Sequence, residues 1–340
     1  SNTTASNNTA VGYQAGYTNT SGAVNSAFGL QALYSNTTAN NNSAFGALSL
    51  YSNTTGTANT AVGREALTAN TTAAGSVAVG YQAAYSTTTG TNNLAVGNQS
   101  LLSNTTGINN IAVGSLALYN STGTANTAIG ANSLQANTTA SNNIAVGYQA
   151  GLGLTTGSNC IFIGKGATES AVGTSNQTVL GTGVTCVGDS NFTFGGGSTD
   201  SNIAFGATSI SAPSDQRYKE DIADATAGLS FIKDLRPVTF KWKKEKDLPT
   251  SHRAYVEGSE TRTINDYTNH GFIAQEVKTA IDAHSEIKDG FDMWCTDNQD
   301  DGGRQRIADG ALVPILVKAL QELSAKNDAL EARITALEGN

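Results

Sequence analysis

Asn59-Thr60-Ala61-Val62-Gly63-Arg64-Glu65-Ala66-Leu67-Thr68-Ala69-Asn70-Thr71-Thr72-Ala73-Ala74-Gly75 is one unit of a pattern that governs the first half of the chain. Its Ala-(Val/Phe/Ile)-Gly triplet recurs with the glycine at Gly12, Gly29, Gly46, Gly63, Gly80, Gly97, Gly114, Gly130 and Gly147. Successive glycines stand 17 positions apart, except for one step of 16 where the Asn120-Ser121-Thr122 turn is shorter by one position. Ala always stands two residues before the glycine, and Asn stands four before it, with Ser76 the one exception. The pattern continues less regularly through Gly164 and Gly181 and breaks up around Gly195, Gly196 and Gly197. A fixed period of this length, with two short apolar runs such as 60–63 and 65–67 between Asn-Thr-Thr turns, is too short and too polar for a helical hairpin. It predicts one coil of a β-solenoid.

Stacked coils place equivalent residues about 4.7–4.8 Å apart, so the constant Ala packs on Ala and the Asn column is expected to form an amide ladder. With Ala filling the inside, each coil is thin and buries little apolar area. The column Val11, Phe28, Phe45, Val62, Val79 is therefore expected to pack against another copy of the chain, giving a homotrimer about a three-fold axis. The Asn-Thr-Thr triplets also match the glycosylation acceptor pattern, but their turn-forming composition explains them more simply.

Working outward, the charge distribution divides the chain. Of 19 Lys and Arg and 27 Asp and Glu residues in 340, residues 1–213 hold six: Arg64, Glu65, Lys165, Glu169, Asp189 and Asp200. A soluble domain is about a quarter charged, so this stretch is a repeat or a fibre. It offers no run of roughly 20 apolar residues of the kind a membrane span requires. A net charge of -8 argues against nucleic acid, and the one basic run, Lys241, Lys243, Lys244 and Lys246, is interrupted by Glu245 and Asp247. Cys160, Cys186 and Cys295 form neither a disulfide framework nor a metal-ligand pattern and read as small buried residues. No cofactor or metal is expected. Opening in mid-pattern at Ser1, without Met or a signal peptide, the chain reads as a piece of something longer.

The coil resembles the head repeats of trimeric autotransporter adhesins, which are left-handed parallel β-rolls, and related repeats of phage tail fibres, over residues 5–170. After Pro213 the composition becomes that of an α+β domain, with candidate strands at 238–243 and 271–274 and a long helix from about Ala311. In that helix Val313, Leu316, Leu320, Leu323, Leu330, Ile334 and Leu337 fall at alternating three and four spacing, with Asn327 at an a position. This is a heptad seam that can register an oligomer; the alternative is an amphipathic helix packed on its own domain.

Four blocks, Ser214-Asp215-Gln216-Arg217-Tyr218-Lys219-Glu220-Asp221-Ile222, Leu235-Arg236-Pro237-Val238-Thr239-Phe240-Lys241-Trp242, His270-Gly271-Phe272-Ile273-Ala274-Gln275-Glu276-Val277, and 312–323, resemble in this order the intramolecular chaperone domain at the C-terminus of phage endosialidases, tailspikes and long tail fibres. The same module occurs in a membrane-bound transcription factor family. The resemblance implies that the domain drives trimerisation and folding and then cuts itself off between Pro213 and Ser214. Ser214 would be the nucleophile and Lys219 the base, with Arg217 or the trimer interface lowering the lysine pKa. His270, Gln275 and Glu276 either orient the dyad or donate to the oxyanion, or are structural. Tyr218, where an aliphatic is commoner, and a polar insertion around 246–269 depart from the family pattern.

The expected organisation is thus a mostly β chain: a trimeric β-solenoid shaft over 1–190, a junction over 191–213, a chaperone and autoprotease domain over 214–310, and its coiled-coil helix over 311–340. The expected function is the distal part of a phage tail fibre, in the virion after folding in the host cytoplasm, binding a bacterial surface glycan. Tyr13, Tyr17, Tyr34, Tyr51, Tyr81 and Tyr85 supply aromatic surfaces for it. The alternatives are part of a glycan-degrading tailspike, for which the shaft lacks the paired acids a glycosidase uses, and a bacterial trimeric surface adhesin. A Thr-based ice-binding face is disfavoured because the threonines sit in turns.

Overall fold

The computed structural model describes residues 4–197, 199–207, 209–211, 214–252, 254–288, 291–296 and 305–338. It divides into two units, Ser1–Asp215 and Gln216–Asn340. The first is the β-solenoid. Ten three-residue strands, β1 (Thr9–Val11), β2 (Ser26–Phe28), β3 (Ser43–Phe45), β4 (Thr60–Val62), β5 (Val77–Val79), β6 (Leu94–Val96), β7 (Ile111–Val113), β8 (Thr127–Ile129), β9 (Ile144–Val146) and β10 (Ile161–Ile163), stack in chain order as one parallel sheet. The register keeps each repeat position on its equivalent, Ala61 on Ala78 and Val62 on Val79. β11 (Thr178–Thr182) and β12 (Asn191–Gly196) continue the sheet in parallel, and β13 (Thr199–Ala204) turns back antiparallel on β12.

Inside, the Ala column is sealed from Ala44 to Ala145. A second inward column carries Leu33, Leu50, Leu67, Ala84, Leu101, Leu118 and Leu134. Its next member is Gly151, and there Phe162 replaces the Ala of the strand column: a Cβ on Gly151 would lie 2.8 Å from the Phe162 ring. The interior conserves volume across coils although both residues change.

The second apolar run of each coil is not a strand. Glu65 and Leu67 have φ of 60° and 51°, and their equivalents Gln82 and Ala84, and Gln99 and Leu101, do the same. Repeated left-handed residues bend the chain through a full coil within one repeat, and strong inter-coil hydrogen bonds hold non-glycine residues in that region despite its cost. The triplet glycine is required on two counts: Gly97 has φ +138°, and a Cβ there would lie 2.5 Å from the carbonyl oxygen of Gly114.

The two asparagine columns do different work from the single amide ladder expected. The Asn four residues before the glycine bonds to backbone. Asn42 accepts from the Asn59 amide at 2.9 Å and donates through Nδ2 to the Gly56 carbonyl at 2.9 Å, and the arrangement recurs in Asn8, Asn25, Asn59, Asn93, Asn110, Asn126 and Asn143. The amide-to-amide ladder belongs to the Asn of the Asn-Thr-Thr turns: Asn36 to Asn19, Asn53 to Asn36, and Asn70 to Asn53, at 2.9–3.0 Å. These asparagines are buried, so the folded shaft withholds the glycosylation acceptor nitrogens at Asn36, Asn53, Asn70, Asn104 and Asn137.

In the second unit, α1 (Leu229–Asp234), β14 (Val238–Phe240), β15 (Asn269–Gly271), α2 (Ala274–Ala283), β16 (Trp294–Thr296), β17 (Gln305–Ile307) and α3 (Leu312–Glu338) surround a core of Phe231, Val277, Ile281, Met293, Leu312 and Ile315. β14 pairs antiparallel with β15, and β16 with β17. The strand expected at 238–243 stops at Phe240. The one expected at 271–274 lies earlier, at 269–271, because Val277, Ala280 and Ile281 form a buried face at helical spacing and draw 274 onward into α2. Cys160 and Cys186 are buried as expected, whereas Cys295 on β16 is exposed.

α3 resolves the choice between seam and amphipathic helix by using two faces. Leu312, Ile315 and Ala319 are buried against the domain, and Glu322 accepts the Leu229 amide of α1 at 3.0 Å. The heptad face, from Val313 and Leu316 through Leu320, Leu323, Leu330 and Ile334 to Leu337, is exposed along the helix, with Leu320 at 65%.

The turn ladder is interrupted at Thr87, as it is again at Ser121 and Leu154. Thr87 stands where Asn70 and Asn104 flank it, and its buried hydroxyl has no hydrogen-bond partner. Thr87→Asn restores the ladder and is expected to raise shaft stability by about 1 kcal/mol, read as an upward shift of the denaturant midpoint; an unchanged or lower midpoint would refute the ladder's energetic role.

Candidate functional site

The first unit ends at Asp215, one residue past Ser214. Ser214 is exposed, and Pro213, the other side of the expected bond, lies outside the described residues. In the second unit Gln216–Tyr218 form a 3-10 turn, closed by the Lys219 amide donating to the Gln216 carbonyl at 3.0 Å. Arg217 and Lys219 both carry exposed side chains.

His270 sits in β15 opposite Thr239 and is exposed. Gln275 and Glu276 follow in the first turn of α2, also exposed. Glu276 is fully engaged: Arg236 Nε donates to its Oε2 at 2.9 Å and Nη2 to its Oε1. The bond from Arg236 holds the Glu276 carboxyl below its usual range, and Glu276 raises Arg236 in return. A carboxylate gripped by a guanidinium fork is an acceptor and not a proton donor, so Glu276 ties the Arg236 block to the His270 block.

The insertion is tied down by charge. Lys244 and Lys246 both bond Glu260, which brings its carboxyl down to about 2. Arg262 Nη1 donates to the Trp242 carbonyl at 2.6 Å. Two lysines of the basic run are thus spent on an internal carboxylate and do not form an open cationic patch.

Sequence reading passed over His284. Its Nε2 lies 2.8 Å from Asp234 Oδ2 and its Nδ1 3.0 Å from Glu286 Oε1, and its ring meets Phe231 edge to face at 5.4 Å. Only the doubly protonated ring donates through both nitrogens. The bonds to Asp234 and then Glu286 raise its pKa accordingly. The cluster joins the end of α1 to the end of α2; its one trace in the sequence is the His-Ser-Glu spacing.

On the shaft the outward strand column is exposed at Val11, Phe45, Val62, Val79, Ile129, Val146, Ile163 and Leu180, and Phe28 stacks on Phe45 at 4.9 Å. Tyr17, Tyr34 and Tyr51 stack on one another at 5.4 and 5.1 Å. The acids beyond Glu65 are occupied structurally where bonds are seen: Asp189 accepts from the Ser175 amide at 2.9 Å and Glu169 from the Thr168 hydroxyl at 2.8 Å. Among the described residues no three His, Cys, Asp or Glu side chains are grouped to hold a metal, and no helix is long and apolar enough to cross a membrane.

Residues 214–285 match the family model described as chaperone of endosialidase. The match begins at Ser214 and runs through Lys219, the Arg236–Glu276 pair and the whole of α2, ending one residue after His284. No curated protein and no solved structure matches the chain. The match takes in the first three of the four sequence blocks, so a chaperone-family region follows the β-solenoid.

His284 gives this chaperone region a pH dependence of definite sign. A raised folded-state pKa contributes stability that is fully present below the unfolded value of about 6.5 and is lost as pH rises through the folded value. The melting temperature of the C-terminal unit, followed in the full chain by near-ultraviolet dichroism of Trp242 and Trp294, is expected to fall as pH rises above about 6.5. In His284→Gln that fall should be much reduced; an equal fall in the variant would remove the assignment.

Proposed function

We propose that the chain is the distal part of a homotrimeric phage tail fibre that binds a bacterial surface glycan, with a C-terminal chaperone that aligns three chains and then releases itself by cutting before Ser214. The observation that carries this is the chaperone-of-endosialidase match beginning at the junction after a β-solenoid. Two uncovered apolar faces support association with copies of the chain: the outward strand column of the shaft and the heptad face of α3. An exposed seam of this length on a helix already packed through another face fits a parallel partner helix, and Asn327 at an a position fits a register device. The glycan reading is supported by the exposed rings of Tyr13 and Tyr81. The shaft's isolated acids favour binding without hydrolysis.

The cut is written as an acyl shift. Ser214 Oγ attacks the Pro213 carbonyl carbon while Lys219 takes the hydroxyl proton. The 213–214 C–N bond breaks, the proton passes to the released Ser214 amine, and an ester joins the two segments. Water then hydrolyses the ester, leaving a carboxylate on Pro213 and the serine hydroxyl restored. A lysine can serve as base where burial disfavours its charged form. Lys219 is exposed in the single chain, so burial on assembly would switch the reaction on, and loss of the chaperone would leave the shaft kinetically trapped.

Denaturing electrophoresis with intact mass tests this. Wild type is expected to give two fragments, 1–213 and 214–340, once trimers form, while Ser214→Ala and Lys219→Ala stay whole. A wild type that stays whole as a trimer would remove the peptidase reading and leave the chaperone one; a Lys219→Ala chain cut at the wild-type rate would remove the lysine as base.

A further inference from the structure

The stretch 1–164 contains two charged side chains, Arg64 and Glu65, and they are adjacent. Glu65 lies in the column that Gln14, Gln31, Gln82 and Gln99 occupy in other coils. That column is an amide ladder: Gln31 donates to Gln14 at 2.9 Å, Gln99 to Gln82 at 2.9 Å, and Gln82 to Glu65 Oε2 at 2.7 Å. A glutamine at 65 would accept the same bond without burying a charge. Glu65 is 9% exposed although the Arg64 side chain is exposed, and covering a carboxylate costs desolvation that a neutral amide avoids. The shaft therefore has no need of this carboxylate for stacking.

Its other oxygen faces outward work. Arg64 Nε and Nη2 donate to Glu65 Oε1 at 3.0 and 2.8 Å, which fixes the guanidinium plane, and Arg64 Cζ lies 5.7 Å from the centre of the Tyr81 ring in the next coil. Tyr81 is 40% exposed. Tyr17, Tyr34 and Tyr51 cover one another's faces in a stack, whereas Tyr81 stands in a column between Arg64 and Asn98, with the Gln82 amide bonded to the Arg64 carbonyl and the Gln99 amide to the Tyr81 carbonyl. Asn98 is exposed. An exposed aromatic ring, a guanidinium locked over one of its faces with N–H groups unspent on Glu65, and an exposed short amide in the next coil towards its other face make a preorganised surface on an otherwise uncharged shaft.

We infer that Arg64, Tyr81 and Asn98 form a saccharide subsite, with Tyr81 stacking on the apolar face of a pyranose ring and Arg64 and Asn98 bonding its hydroxyls. Because Glu65 neutralises Arg64 within the site, the fitting ligand is an uncharged hexose or N-acetylhexosamine unit. This rests on the glycan-binding reading above and assigns it a place.

Saturation-transfer NMR on the full chain tests it, with an equimolar mixture of the methyl glycosides of glucose, galactose, mannose and N-acetylglucosamine as probe. Wild type should receive saturation on at least one glycoside. Tyr81→Ala should weaken binding about tenfold, as should Arg64→Ala combined with Glu65→Gln, a pairing that keeps the ladder intact and neutral. Tyr81→Trp should retain binding, and so should Tyr148→Ala, which removes an exposed ring from the same column at a coil lacking the Arg–Glu pair. Undiminished binding in Tyr81→Ala, or equal loss in Tyr148→Ala, overturns this site and leaves the glycan reading standing. No signal from wild type with any of the four overturns both.

Discussion

Each coil of the shaft is tied to the next by an asparagine side chain that reaches along the axis, accepting one backbone N–H and donating to one backbone carbonyl. A short coil with a single three-residue strand leaves much of its backbone outside any regular ladder, and a buried unpaired backbone group costs about as much as a lost hydrogen bond. The amide is neutral, carries a donor and an acceptor on separate atoms, and so bonds two backbone groups across such a gap. Its cost is space: the interior is shared with these amides, so only Ala and one Leu-sized residue fit beside them. The larger apolar residues are left on the outside of the strand face.

That displacement shapes the rest of the account. An ordinary domain hides its valines and phenylalanines within one chain; this shaft carries them in a line from Val11 to Leu180 on its surface. On the proposed reading, stability is then a matter between chains, and a chain emerging alone has weak means of choosing its register, since every coil resembles its neighbours. On that same reading a chaperone with an exposed heptad face would set register before the shaft closes. The same dependence would, on that reading, also supply the trigger of the proposed chemistry, since burial disfavours the charged form of a lysine.

Much of the fold was legible in the repeat. The constant Ala and Gly positions pointed to the solenoid and its register, and the four blocks to the chaperone, because both are written in residues whose roles are steric or motif-bound. What stayed hidden depended on geometry that spacing does not encode. Asn36 and Asn42 are the same residue type six positions apart, yet one ladders with other amides and the other bridges backbone. Nothing in the composition of the short run 65–67 shows that it bends through left-handed residues at Glu65 and Leu67. Ile273 and Ala274 read as strand until Val277 and Ile281 are seen to share a helical face. Cys295 read as buried and is exposed on a two-stranded hairpin. His284 drew no notice because its partners lie 50 residues before it and two after. Of the candidate site, the placement of Glu276 against Arg236 joined two blocks that the sequence could only set side by side.

The outward apolar column and the α3 seam converge on one quantity, the mass of the assembled particle. Sedimentation equilibrium of the Ser214→Ala chain, which keeps shaft and chaperone together, measures it directly. The account predicts a single species at three times the 34.8 kDa chain mass; a stable species at the mass of one chain would contradict it.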